Sequence, residues 1–241
     1  MNIAEKIKKK ISSMKDGITF KYQQLGITPD EYGAAAKAIE RLIRQGIIRR
    51  ATTGVFYKPK QSTFGELRPR EEELLKPYLF EDNKRIAYVT GLGLSNRLGL
   101  TTQVPKTIKV ASKSRRVTTR IGQVAVKPVT SYVEVSNENY RLLELLDALK
   151  DFKTIPDLYK ESAITILRNK IKTLEIADLA RLIRYSYKYP PRTRAFLGAI
   201  LAETKKSEND MALRESLNPL TSYKLGINSK MLPSATKWNI E

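Results

Sequence analysis

Cysteine and histidine are both absent from the 241 residues. Without thiols there is no disulfide and no thiolate metal site. Without imidazole the chain lacks the commonest general base and the commonest metal ligand. Nor does any apolar run approach the roughly 18 residues needed to span a bilayer. The opening stretch MNIAEKIKKKISSM is basic but has no apolar h-region, so it reads as a helix and not as a signal peptide. These absences point to a cytoplasmic protein with no membrane partner. Acidic residues are also scarce, 25 Asp and Glu against 44 Lys and Arg, for a net charge of +19. Such an imbalance specifies no fold, but it predicts attraction to polyanions, meaning nucleic acid or an anionic membrane surface.

Ser, Thr, Lys and carboxylates are present, yet no spacing pairs a nucleophile with a base. The expectation is a non-enzyme with no metal and no cofactor. Gly91-Leu92-Gly93 with Gly99 has the wrong spacing for a dinucleotide loop, so these glycines read as turn or packing positions. Glu71, Glu72 and Glu73 suit the start of a helix better than a metal site. No internal repeat or low-complexity tract is visible.

The charge is uneven along the chain. Residues 1–60 hold 13 Lys and Arg against 5 Asp and Glu, a net of +8 in a quarter of the length. Ile3, Ile7, Ile11 and Met14 recur at helical spacing and predict an amphipathic helix over 2–14. Asp16-Gly17 is a turn, and 18–25 reads as a short second helix with Phe20 and Leu25 inward. Thr28-Pro29-Asp30-Glu31 is a capping-box start for a third helix ending near Gln45, with Gly46 as its stop. Its buried stripe is Tyr32, Ala35/Ala36, Ile39 and Leu42/Ile43. Residues 47–58 read as a β-hairpin turning at Thr52-Thr53-Gly54. Three helices followed by a hairpin make a winged helix-turn-helix, whose third helix enters the major groove.

The candidate DNA-binding residues follow from that layout. Lys37, Arg41 and Arg44 lie at i, i+4 and i+7, one stripe facing away from the core, where arginines can clamp phosphates or bind guanine. Gly33 and Ala34 are small enough to bring the helix close to base edges. Arg49, Arg50 and Lys58 flank the hairpin, and Thr52 and Thr53 sit at its tip within reach of phosphate oxygens.

Beyond it, residues 61–70 read as a linker and 71–205 as an α+β regulatory domain. That domain would hold a helix at 70–80, short strands at 106–111, 115–120 and 122–128, and helices at 137–150, 155–172, 175–187 and 191–204. Residues 206–241 read as an irregular tail, docked because Leu225, Ile227, Met231, Leu232 and Trp238 would be costly to expose. The fold class is α+β: a winged helix, a mixed domain with a small sheet, and a helical bundle. Two further basic clusters, Lys113/Arg115/Arg116/Arg120 and Arg181/Arg184/Lys188/Arg192/Arg194, read as solvated surface or as secondary anion sites.

The segments AIERLIRQGIIRRATTGVFYKPK (38–60), FGELRP (64–69) and TGLGLSNRLGLTTQVP (90–105) resemble the AbiEi-type antitoxin family, in its DUF6088-like branch. The resemblance covers roughly residues 1–200. It implies a repressor of its own operon bound to double-stranded operator DNA, and a C-terminal domain with antitoxin action. It also implies a functional partner, a nucleotidyltransferase-like toxin, without a stable complex. A module that binds toxin or target directly is the alternative.

Overall fold

The computed structural model describes residues 2–204 and 210–241. The chain is mixed α and β, with small antiparallel sheets, and divides into two compact units. One comprises residues 1–83 and 118–125, the other 84–117 and 126–241. The expected boundary at 205/206 lies outside the described residues. Among the described residues, no helix is long and apolar enough to cross a membrane.

The first unit begins with α1 (Ile3–Ser12), capped by Asn2, whose side chain accepts from the Ala4 amide. Ile7 and Ile11 are buried as their spacing requires. Residues 18–25 are not the expected helix. They form β1 (Thr19–Lys21) and a 3₁₀ turn over Tyr22–Leu25, although Phe20 and Leu25 do point inward. The competing influence is non-local: β1 pairs antiparallel with β3 (Val55–Tyr57), putting Phe20 opposite Phe56. Pro29–Glu31 is a 3₁₀ lead-in to α2 (Tyr32–Arg44), and the Glu31 carboxylate accepts from the Thr28 amide at 2.9 Å. Gly46 closes α2 with φ +75°, a conformation that costs glycine little. β2 (Arg49–Thr52) completes a sheet in the order β1-β3-β2.

The core of this unit joins Ile7, Ile11, Phe20, Leu25, Ala35, Ala38, Ile39, Leu42, Ile48 and Phe56, with Ile43 and Ile47 packed against it. The α2 register is as the sequence predicts at Ala35, Ile39 and Leu42. It differs at Tyr32 and Ala36, which are exposed, and at Ala38, which is buried.

Residues 61–70 are not a plain linker. β4 (Lys60–Ser62) and β5 (Gly65–Leu67) form a second hairpin. α3 (Glu71–Leu79) follows, with its three glutamates in the first turn, where the helix dipole favours them. It docks on β1: the Thr19 hydroxyl donates to the Glu73 carbonyl at 2.9 Å, and the Lys21 ammonium donates to the Pro77 carbonyl. The short strands β6 (Phe80–Glu81) and β7 (Lys84–Arg85) lead into the second unit.

There, β8 (Tyr88–Thr90) and β9 (Thr107–Ser112) pair antiparallel on either side of α4 (Leu92–Arg97) in sequence. Gly91 introduces α4 at φ +65° against the Lys109 side chain, so the glycine pattern serves backbone geometry. After β10 (Thr119–Ile121) and β11 (Val124–Thr130) come α5 (Tyr140–Asp151), α6 (Lys160–Lys172), α7 (Ile176–Ser186) and α8 (Pro191–Ala202). α5 is buried from Leu142 to Leu149, including Glu144 and Asp147. Asp147 is satisfied by Tyr88 at 2.9 Å, Thr90 at 2.5 Å and Lys150 at 3.0 Å. Glu144 meets Arg97 at 2.6 Å, and desolvation holds its carboxyl above the usual range.

The tail carries α9 (Asp210–Glu215) and an otherwise irregular path. Leu225, Ile227, Leu232 and Trp238 are buried in the helical core, and the Ser234 hydroxyl donates to the Ala199 carbonyl at 2.6 Å. The Trp238 indole lies over Gly198 of α8, where a Cβ would overlap it. In an open helix Gly→Ala is stabilising, by roughly 0.5–1 kcal/mol. Here the sign reverses: Gly198→Ala should cost about 1–3 kcal/mol by overpacking, seen as a lowered thermal midpoint. A midpoint at or above that of the unaltered chain would mean the tail does not pack on α8.

Candidate nucleic-acid interface

α2 separates two faces. Ala35, Ala38, Ile39 and Leu42 go into the core, while Gly33, Ala34, Lys37, Arg41 and Arg44 are all exposed on the other side. The amphipathic period alone dictates this, because residues three and four apart share a face. Among the described residues, Lys37, Arg41 and Arg44 have no carboxylate within salt-bridge distance and no side-chain hydrogen bond. They form an unpaired cationic stripe about two helical turns long, with Glu40 the one acid inside α2. Asp30 and Glu31 occupy the opposite end of this region, before α2 begins. Glu31 also meets Lys6 at 3.8 Å.

The hairpin cations stand differently. Arg49 is paired to Glu66 of β5 at 3.1 Å. Lys58 is paired to Asp16 at 2.9 Å and reaches the Met14 carbonyl at 3.4 Å. Arg50 is exposed, its guanidinium 5.8 Å from the centre of the Phe56 ring. At the turn, Gly54 takes φ +73° and Thr53 is exposed. Thr52 is half-buried, and its hydroxyl is hydrogen-bonded to the Tyr78 hydroxyl of α3, which in turn lies 3.3 Å from Thr119. Of the eight residues expected at the interface, therefore, Lys37, Arg41, Arg44, Arg50 and Thr53 are open to a ligand. Arg49, Thr52 and Lys58 already hold partners within the first unit. Glu66, Asp16 and Tyr78 escape sequence reasoning because nothing in their local pattern announces a contact 17 to 42 residues away.

The other basic clusters are partly engaged too. Arg181 pairs with Asp178 at 2.5 Å. Arg194 donates to the Tyr187 and Ser216 carbonyls at 3.3 and 3.1 Å. Lys113, Arg115 and Arg116 line a shallow cleft of about 220 Å³ with Ser112, Ser114 and Pro128–Thr130. Among the described residues, no group of three or more carboxylates could hold a metal ion.

The chain belongs to the DUF6088 family, described as a family of unknown function, whose pattern matches residues 3–176. Among solved structures it is similar to the RV2827C protein from Mycobacterium tuberculosis, with a TM-score of 0.54 at 11% identity. That match covers 92% of this chain and 84% of the other, and at such identity it shows a common fold alone. No curated protein matches the chain.

The division between open and engaged side chains has a measurable consequence. Lys37→Ala, Arg41→Ala and Arg44→Ala should each leave stability within about 0.5 kcal/mol, since no contact is lost. Tyr78→Phe should cost about 1 kcal/mol by removing a shared hydrogen bond. Urea unfolding followed by circular dichroism measures both. Equal losses in the two groups would mean that the stripe has structural partners.

Proposed function

We propose that the first unit is a winged helix-turn-helix that binds duplex DNA, and that the chain is a transcriptional repressor of its own operon. The observation that carries this reading is the stripe Lys37-Arg41-Arg44, exposed and outside any ion pair on the face of α2 opposite its core. The element order supports it: helix, strand, helical turn, helix and hairpin, with the sheet in the order β1-β3-β2. In a winged helix this arrangement presents the helix before the hairpin to the major groove. Gly33 and Ala34 let its first turn approach base edges. Arg50 and Thr53 remain at the hairpin for the phosphate backbone. The resemblance of residues 90–105 to AbiEi-type antitoxins extends the reading. On it, the second unit supplies antitoxin action against a nucleotidyltransferase-like toxin, with no stable complex needed.

Binding to a duplex taken from upstream of the gene, measured by fluorescence anisotropy, tests the reading. For about 4–6 phosphate contacts the log–log salt slope should be roughly −4 to −5 per protomer, and a flat salt dependence would refute electrostatic docking. Arg41→Ala should lose roughly 1–3 kcal/mol on that duplex, with less effect on random sequence, if Arg41 reads a guanine. Arg50→Ala, at the open hairpin cation, should weaken both duplexes by the same factor, because a phosphate contact carries no sequence information. Identical specific-to-random ratios for the two variants would make α2 a phosphate clamp and leave sequence to be read elsewhere. In cells, Arg41→Ala should derepress the operon yet still protect against the toxin. Loss of protection at normal protein levels would refute a division of labour between the units.

A further inference from the structure

The β4–β5 hairpin ends in an unusual tip. Phe64 is 99% exposed, which for an aromatic ring leaves the whole side chain in water. The tip is nevertheless ordered from within: the Phe64 amide donates to the Ser62 hydroxyl at 3.2 Å, and that hydroxyl donates to the Gly65 carbonyl at 2.7 Å. Gly65, at φ +106°, permits the turn. The backbone that carries the ring is thus held by hydrogen bonds within the turn.

The register sorts the other residues of the hairpin. Gln61 lies opposite Glu66, and Lys60 opposite Leu67, so these two pairs occupy opposite faces. Glu66 turns toward the unit's body and binds Arg49. The outer face therefore carries Lys60 and the half-exposed Leu67, with Phe64 at the end. From Lys58 to Arg70 the chain has four cations and a single acid, Glu66, which Arg49 neutralises. Arg49 also locates the hairpin. A Cβ on Gly46 would lie 3.4 Å from its guanidinium, so the same side chain that holds Glu66 lies at the C-terminal end of α2, two residues past Arg44.

We propose that Phe64 is a DNA contact: the β4–β5 tip enters the minor groove beside the major-groove segment taken by α2, with Lys60 on the bordering phosphates. The inference rests on the DNA-binding reading above. An aromatic ring at the tip of a basic hairpin matches the apolar side chains that proteins set against bases in the minor groove. Contact with the groove also relieves the exposed ring of water without needing a hydrogen-bond partner. A membrane surface would accept the same chemistry. It is disfavoured because one ring and one outward lysine make a weak anchor, whereas DNA is already the ligand for the stripe next to it.

The test uses the full chain, the upstream duplex and a random duplex of equal length. Phe64→Ala should bind both about tenfold more weakly, consistent with loss of one apolar contact in the groove. The salt slope should be unchanged because no phosphate contact is removed. Phe64 is fully exposed, so folding should be unaffected by the change. Phe64→Trp adds an exposed reporter to the buried Trp238, and saturating duplex should protect that reporter from acrylamide quenching. Equal affinity of Phe64→Ala and the unaltered chain overturns the proposal while leaving the DNA reading intact. So does a Phe64→Trp reporter that stays quenchable in the DNA complex or is shielded only by phosphatidylserine vesicles. An unaltered chain that binds neither duplex overturns both.

Discussion

The first unit depends on the packing of Phe20 against Phe56, ring centres 5.9 Å apart across paired strands. This contact ties a three-residue strand near the start of the chain to the far arm of a hairpin 36 residues later. It makes the floor on which α2 lays Ile39 and Leu42. Each such side chain, fully buried, contributes on the order of 1.5–3 kcal/mol. Together they fix the rotation of α2 about its own axis. Once that rotation is fixed, Lys37, Arg41 and Arg44 have no choice but to face solvent. The cationic stripe is a by-product of how the apolar stripe is satisfied, and it needs no support of its own.

That is why the helical parts of the fold are legible in the sequence. α1, α2 and the late helices α5–α8 all announce themselves through apolar residues three and four apart and through end signals such as Thr28-Pro29 and Gly46. Their periodicity is local, so a reader of the sequence sees the same constraint that the chain obeys. β1 is not legible. Thr19-Phe20-Lys21 is too short for an alternation to appear, and its strand character comes from β3. The β4–β5 hairpin is missed for another reason. Its polar residues read as linker, and only Gly65 hints at the turn. Buried acids are hidden in the same way. Asp147 and Glu144 look like the solvated face of an amphipathic helix, and only tertiary structure supplies Tyr88, Thr90, Lys150 and Arg97 as partners.

The candidate interface divides along this line. The α2 stripe is placed by helical period, and the sequence locates it. The hairpin residues are placed by pairing between segments, and there the sequence names the right segment without revealing which side chains are engaged. Arg49 and Lys58 carry the same charge as Arg41 but sit beside carboxylates, so much of their field is cancelled at the source.

Cancellation matters more here than the net charge of +19. At physiological ionic strength the Debye length is about 8 Å, so remote lysines do little for a ligand at the α2 face. What a phosphate would experience there is the local balance: three cations, none in an ion pair, against Glu40, the one acid within α2. Exposed ion pairs such as Lys58–Asp16 stabilise the fold by about 0–1 kcal/mol at most. Placing acids beside Arg49 and Lys58 thus adds little stability, but it concentrates the attraction for a polyanion on the stripe. A basic protein with uniformly free cations would bind nucleic acid in many orientations. On the proposed reading, a chain whose Arg49 and Lys58 are paired while Lys37, Arg41, Arg44 and Arg50 are open would have a preferred orientation before any base is read.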